Sequence, residues 1–173
     1  NAAGLASDRI ARLAGIQVPE IIPWRGEEFL LDRHARRLTS RIIFPMPRGK
    51  TKGILVIPTV DGNTMIGPTY EEVPDREDLR TSEAGRNSVL AAVRQVVPSI
   101  REDQIIASFA GLRPTTADGE FYIREDRKGF VNLVGIQSPG LTAAPAIAEH
   151  VVQMLSGATE FRPKDNPLVR LNG

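Results

Sequence analysis

The chain has 173 residues, 41% of them hydrophobic, enough apolar surface for one folded core. Its 22 basic and 21 acidic residues leave a net charge of +1, so the surface as a whole attracts neither nucleic acid nor a membrane. The absence of cysteine excludes disulfides, thiolate metal sites and cysteine nucleophiles. No apolar run approaches the roughly 20 residues that span a bilayer and no signal sequence opens the chain, so the expected compartment is the cytoplasm.

Leu5 to Leu13 predicts a short helix with Ser7 and Asp8 in its first turn, Gly15 past its end and an apolar face of Leu5, Ile10 and Leu13. An antiparallel meander is expected next, with short strands around 20–22, 27–32, 41–44, 53–58 and 64–67. Pro45, Pro47 and Gly49 mark a turn, and Asp61-Gly62-Asn63 a tight hairpin connection. Arg76 to Val97 reads as the longest helix, with a stripe of Leu79, Val89, Leu90, Val93, Val96 and Val97 and a stop at Pro98. Strands are expected over 104–112 and 130–134, around a hairpin-like segment at 120–123. Ala144, Ile147, Ala148, Val151, Val152 and Leu155 repeat at helical spacing and predict a last helix ending near Gly157. Beyond Phe161, two prolines and many charges read as a tail or linker. This order predicts an α+β fold, a mostly antiparallel sheet covered by helices on one side.

Two segments carry candidate chemistry. Gly135-Ile136-Gln137-Ser138-Pro139-Gly140-Leu141-Thr142 follows an apolar strand and opens the last helix. Its glycines let a ligand approach the backbone, and the first-turn N–H groups offer donors backed by the helix dipole. An ordinary helix start capped by Ser138 or Thr142 uses the same residues. In Phe109-Ala110-Gly111-Leu112-Arg113-Pro114-Thr115, Arg113 sits on a stiff strand end, where a guanidinium can grip carboxylate or phosphate with two hydrogen bonds. Its alternative role is a surface ion pair. Arg25, in Pro23-Trp24-Arg25-Gly26-Glu27, is a second candidate, and its alternative is a turn cap paired with Glu27 or Glu28. Gly62 to Pro68 reads as scaffold. Neither His34 nor His150 has a second ligand at metal spacing, so no metal site is expected. Arg33, Arg36, Arg37 and Arg41 lack the interleaved aromatics of a nucleic-acid surface. No residue stands out as a general base.

These two runs, with Asn1-Ala2-Ala3-Gly4-Leu5 and Ile57-Pro58-Thr59-Val60-Asp61-Gly62-Asn63-Thr64-Met65-Ile66-Gly67-Pro68, resemble in order the glycerol-3-phosphate dehydrogenase and L-2-hydroxyglutarate oxidase branch of FAD-dependent oxidoreductases, within the D-amino-acid-oxidase superfamily. The resemblance extends to about Phe161. The family's nucleotide-binding domain opens with a strand, a G-x-G-x-x-G turn and a helix, and this fingerprint is absent from the 173 residues. The resemblance therefore implies a piece of the enzyme. Residues 1–15 would end the FAD-binding domain, 16–134 form the substrate domain, 135–160 supply an FAD-binding turn and helix, and 161–173 form a tail or linker. Asn1-Ala2 is read as either native or the scar of a tag.

By the same resemblance the cofactor is FAD, contacted by Gly4, Gly135, Ile136, Gln137, Ser138, Gly140, Leu141 and Thr142. Arg113 is implied as the anchor for the substrate anion above the flavin, and Arg25, from the family's Pro-x-Arg-Gly-Glu run, as a second substrate contact. The implied reaction moves hydride from a small anionic secondary alcohol, glycerol 3-phosphate or a 2-hydroxy acid, to flavin. The implied partners are that substrate, an N-terminal FAD-binding domain, and an iron-sulfur or other electron-accepting module after Phe161. Peripheral attachment at the inner membrane face is compatible with the cytoplasmic expectation. The alternative is a non-catalytic domain that recognises an anionic partner, expected if Arg113 stands exposed with no cleft nearby.

Overall fold

The computed structural model describes residues 1–46, 53–157 and 160–161. Pro47 and Gly49 of the expected turn, and the expected tail from 162 onward, lie outside the described residues. In chain order the elements are α1 (Ser7–Leu13), β1 (Ile22–Leu31), β2 (Leu55–Pro58), β3 (Thr64–Gly67), β4 (Glu71–Glu72), α2 (Glu83–Val93), β5 (Ile105–Thr115), β6 (Tyr122–Arg127), β7 (Phe130–Val134) and α3 (Gly140–Leu155). Short 3-10 turns lie at Gly4–Ala6, Arg33–Leu38 and Glu102–Gln104.

Strand β1 is the axis of a five-stranded antiparallel sheet, with β3 and β4 along one edge, β5 along the other and β2 beyond β3. Strands β6 and β7 form a separate hairpin sheet. The α+β architecture is the one expected. One side of the main sheet packs on α2: Phe29, Leu31, Val56 and Ile66 meet Val89, Leu90, Val93, Val97 and Ile100 in the core. Burial of this set is the main apolar contribution to stability.

Local expectations diverge where distant partners intervene. The segments 20–22 and 27–32 join into one strand, because pairing on both edges carries β1 through Pro23 and Gly26. Segment 41–44 supplies only a bridge from Ile43 to Val56, with Ile42 and Phe44 exposed. Strand β5 runs past Leu112 to Thr115. The long helix begins at Glu83, not Arg76, because Ser82 is an N-cap. Its hydroxyl accepts from the Gly85 N–H at 2.9 Å. Leu79 and Val96, expected in its stripe, are exposed. The hairpin link at 59–63 forms as expected, closed by the Thr59 N–H on the Asn63 carbonyl at 2.9 Å.

Both terminal helices turn apolar residues outward. Helix α1 buries Ser7, Asp8 and Ala11, while Ile10 and Leu13, expected on its inner face, are exposed. In α3, Ala143, Ile147, Val151, Met154 and Leu155 are half-buried, and Leu141, Ala144, Pro145, Ala148 and Val152 form a bare apolar stripe. The stripe expected from periodicity is thus divided between a covered and an uncovered half. Asn1 is integrated: its side-chain amide donates to the Asn132 carbonyl oxygen at 2.7 Å and to the Ser7 carbonyl at 2.9 Å.

Helix α1 is oriented by one ion pair. Arg76 donates to both Asp8 oxygens at 2.6 and 2.7 Å, and to the carbonyls of Leu5 and Ile21 at 2.7 and 2.9 Å. Burial pushes the Asp8 carboxyl up, but the Arg76 hydrogen bonds and charge, with the Ile21 and Arg9 amides, outweigh it and hold the pKa at about 2. Asp8→Asn is expected to cost about 3 kcal/mol at pH 7, as when one member of a buried pair is removed. The folded pKa lies below the unfolded value of about 3.9, so this stabilisation is full above about pH 4 and fades as pH falls toward 2. Urea unfolding of both proteins at about pH 7 and pH 2.5 checks this. A gap that does not narrow in acid contradicts the assignment.

Candidate functional site

Strand alternation sorts the candidate residues onto two faces. Arg25, Glu27, Phe29 and Leu31 face α2, while Trp24, Gly26 and Glu28 face away from it. Across the ladder, Arg113 stands opposite Trp24, Gly111 opposite Gly26 and Phe109 opposite Glu28, so these β5 residues share the second face. That face is open. Phe109 is 49% exposed, and a Cβ added at Gly111 would meet nothing within 4 Å.

The Arg113 guanidinium lies flat on Gly26, where an added Cβ would stand 2.5 Å from Nη2 and 2.9 Å from Cζ. It sits 5.4 Å from the centroid of Tyr70, whose ring stacks on Trp24 at 4.2 Å. Among the described residues its hydrogen bonding is limited to a long contact from Nη1 to the Thr69 carbonyl at 3.5 Å, and no carboxylate forms an ion pair with it. Burial lowers its pKa, and Tyr70 and Glu28 oppose that shift. A half-buried cation held between the Tyr70 ring and a glycine floor retains its donors for a ligand.

Arg25 is differently committed. It donates to Glu71 at 2.7 Å and Asp78 at 2.8 Å and lies 3.7 Å from Glu27. The Glu71 hydrogen bond leads the effects that raise its pKa, ahead of the opposing burial and the attraction of Asp78 and Glu27. The pairing with Glu27, the alternative read from sequence, is therefore present. Glu28 was not singled out in the sequence. Its Oε2 is buried above Gly67 and has no hydrogen-bond partner among the described residues, and burial raises the carboxyl to about 7 against the pull of Arg113.

The turn before α3 is glycine-dependent. Gly135 has φ +72°, and a Cβ there would stand 2.7 Å from Thr116 Cγ2. Gln137 ties the turn to the end of β5, accepting from Thr115 Oγ1 and donating to the Gly119 carbonyl, both at 3.2 Å. Neither Ser138 nor Thr142 caps the helix; the cap position is Pro139, with no side-chain bond. The Gly140 N–H is taken by the Gln137 carbonyl at 2.5 Å, and among the described residues the N–H groups of Leu141 and Thr142 are the first-turn donors left for a ligand.

A cavity of about 850 Å³, within the range of ligand pockets, brings together Arg113, Tyr70, Gln137 and Ser138, and also takes in Arg25 and Glu27. Arg113 thus lies half-buried in a cleft, not in an exposed ion pair. Gly4 (φ +56°), Gly135, Ile136, Gly140, Leu141 and Thr142 lie outside the cavity lining. His34 and His150 are exposed. Among the described residues no cluster could hold a metal ion, and no helix is long and apolar enough to cross a membrane. Sequence reasoning missed Trp24, Glu28 and Tyr70. The period-2 pattern of β1 was a usable signal for the first two; Tyr70 reaches the site through a loop and left none.

A family model described as FAD dependent oxidoreductase matches residues 1–154. The chain is 41% identical over 169 residues to a glycerol 3-phosphate dehydrogenase of Caloramator mitchellensis, covering 96% of this chain and 35% of that protein. It is 27% identical over 173 residues to the mitochondrial L-2-hydroxyglutarate dehydrogenase of Arabidopsis thaliana, covering 87% of this chain and 36% of that protein. Its fold matches the dithionite-reduced L-alpha-glycerophosphate oxidase of Mycoplasma pneumoniae with FAD bound, at a TM-score of 0.83 and 32% identity, over 95% of this chain and 43% of that one. The chain spans less than half the length of these relatives. On the family match and the shared fold together, the chain belongs to the FAD dependent oxidoreductase family.

Proposed function

We propose that this chain is the substrate-holding part of an FAD-dependent dehydrogenase or oxidase acting on a small secondary alcohol with an anionic group, glycerol 3-phosphate above all. The observation that carries the reading is Arg113, a guanidinium with uncommitted donors in one cavity with the Gln137–Ser138 turn. Residues 16–134 form the substrate side, 1–15 and 135–160 join an FAD-binding domain, and 161–173 are assigned as a tail or linker to an iron-sulfur or other electron-accepting module. The bare apolar stripes of α1 and α3 support this division, since contiguous exposed apolar surface marks a contact face. Strand β7 packs on both helices and forms the seam. The proposed location is the cytoplasm or the inner membrane face.

The residues present fit FAD. Gly135 keeps a side chain out of the turn, and the uncapped start of α3 offers N–H donors and the positive end of a helix dipole to a group that gains negative charge. When bound, FAD supplies the two-electron acceptor. Arg113 binds the anionic end of the substrate with two parallel hydrogen bonds and fixes its orientation. The Tyr70 ring, itself stacked on Trp24, covers one side of the guanidinium and limits its hydration, which strengthens its grip. Arg25 steadies the β1–β4 edge through Glu71 and Asp78, which neutralise its charge where it borders the cavity.

In the full-length protein, Arg113→Ala is expected to lower kcat/KM for glycerol 3-phosphate by about 10²- to 10³-fold, the loss of a bidentate charge-assisted contact. Anaerobic flavin reduction by stopped flow measures it, and an unchanged rate removes Arg113 from the site. Gly135→Ala is expected to cost about 2 kcal/mol through its positive φ and the contact with Thr116, and to lower FAD retention, read as flavin absorbance after gel filtration. The chain alone is expected to bind FAD weakly, because the pyrophosphate and ribose contacts belong to the absent fingerprint. Tight binding in an FAD titration contradicts the split assignment.

A further inference from the structure

The open sheet face carries a second ionisable group that the reaction as proposed does not use. Glu28 follows Gly26 by two residues on β1, on the face where the Arg113 guanidinium lies over Gly26. Two strand residues advance about 7 Å, roughly the length of a three- to five-carbon substrate. The two groups feel each other's charge, yet no ion pair joins them among the described residues. Gly67 makes room for the carboxyl as Gly26 does for the guanidinium. Glu28 Oε2 is buried and lacks a hydrogen-bond partner among the described residues. This face therefore presents an anion receptor at one end and a poorly solvated, incompletely bonded carboxyl at the other.

Such a pair selects ligands by shape of charge. An anionic group docks on Arg113, and a hydroxyl at the far end can donate to Glu28. Above about pH 8, where the Glu28 carboxyl is ionised, a second carboxylate at that end would be pressed against a like charge, which disfavours it. We infer that Glu28 is a specificity-determining residue that selects substrates with one anionic group and a hydroxylated opposite end, and rejects 2-hydroxy dicarboxylates. This rests on the substrate-side reading of the chain proposed above.

The test uses the full-length protein reduced with dithionite, so that ligands bind without turnover. Titration calorimetry gives the dissociation constants of glycerol 3-phosphate and 2-hydroxyglutarate for the wild type, Glu28→Gln and Glu28→Asp. The wild type is expected to prefer glycerol 3-phosphate. Glu28→Gln, isosteric and uncharged, is expected to shrink that preference by about tenfold or more, mainly by tightening 2-hydroxyglutarate. Glu28→Asp keeps the charge and is expected to retain the preference. A preference that Glu28→Gln leaves unmoved overturns the inference. Flavin reduction by glycerol 3-phosphate in the oxidised wild type separates the two ideas. Reduction with an unmoved preference overturns only the role of Glu28, and a moved preference without reduction overturns only the catalytic reading.

Discussion

The geometry of the site depends on where one carboxylate is buried. Glu27 is 1% exposed, and its oxygens accept from the Ser82 N–H at 2.7 Å and the Ser82 hydroxyl at 3.0 Å. It occupies the N-terminus of α2, where the helix dipole favours negative charge. A Cβ at Gly85 would strike the same carboxylate, so the first turn of the helix must carry a glycine there. The Glu27 backbone also bonds Thr69 in both directions, accepting at 3.1 Å and donating to its hydroxyl at 2.9 Å. Burying a carboxylate without such donors would cost several kcal/mol. One residue thereby fixes the start of α2 and the position of the 69–71 segment, and through it the placement of Tyr70 beside Trp24 and Arg113.

The two arginines illustrate how environment divides labour between identical side chains. Arg25 and Arg113 lie on adjacent strands but on opposite faces of the sheet. Arg25 faces acids, and its donors go to Glu71 and Asp78. Arg113 faces rings, glycine and a cavity, with a single long bond to a carbonyl among the described residues. A cation desolvated without compensation is a cost to the fold, and sites of this kind are where function is found. The carboxyl of Glu28 adds a second such cost on the same face.

The cavity also depends on segments far apart in the chain. Gln137 pins the turn before α3 to Thr115, which continues from Arg113 by two residues. At the other terminus, Asp8 and Arg76 lock α1 against the segment that precedes α2. The outer sides of α1 and α3 then present Ile10, Leu13, Leu141 and Val152 together with small alanines, a surface suited to close packing. Helix α1 and the turn before α3 are thus held inward by polar bonds while the apolar stripes of the two helices point out.

Local signals in the sequence determined a good deal of this protein. The alternation over 27–32, the hairpin at 61–63 and the helical spacing from Ala144 to Leu155 each lie within one window, and each element formed, whereas α2 stops at Val93, short of the end expected before Pro98. The motif order around Gly111–Arg113 and Gly135–Thr142 determined the family, and the glycine at 135 announced a backbone that only glycine adopts easily. Tertiary structure alone decided where α2 begins, which face of α1 is buried and which arginine keeps its donors. Those outcomes rest on Ser82 meeting Glu27 across 55 residues, Arg76 meeting Asp8 across 68 and Arg113 meeting Thr69 across 44. Periodicity and propensity act within a few turns of chain, whereas ion pairs and caps act through space, so partners brought together by sheet closure override the local pattern wherever the two compete.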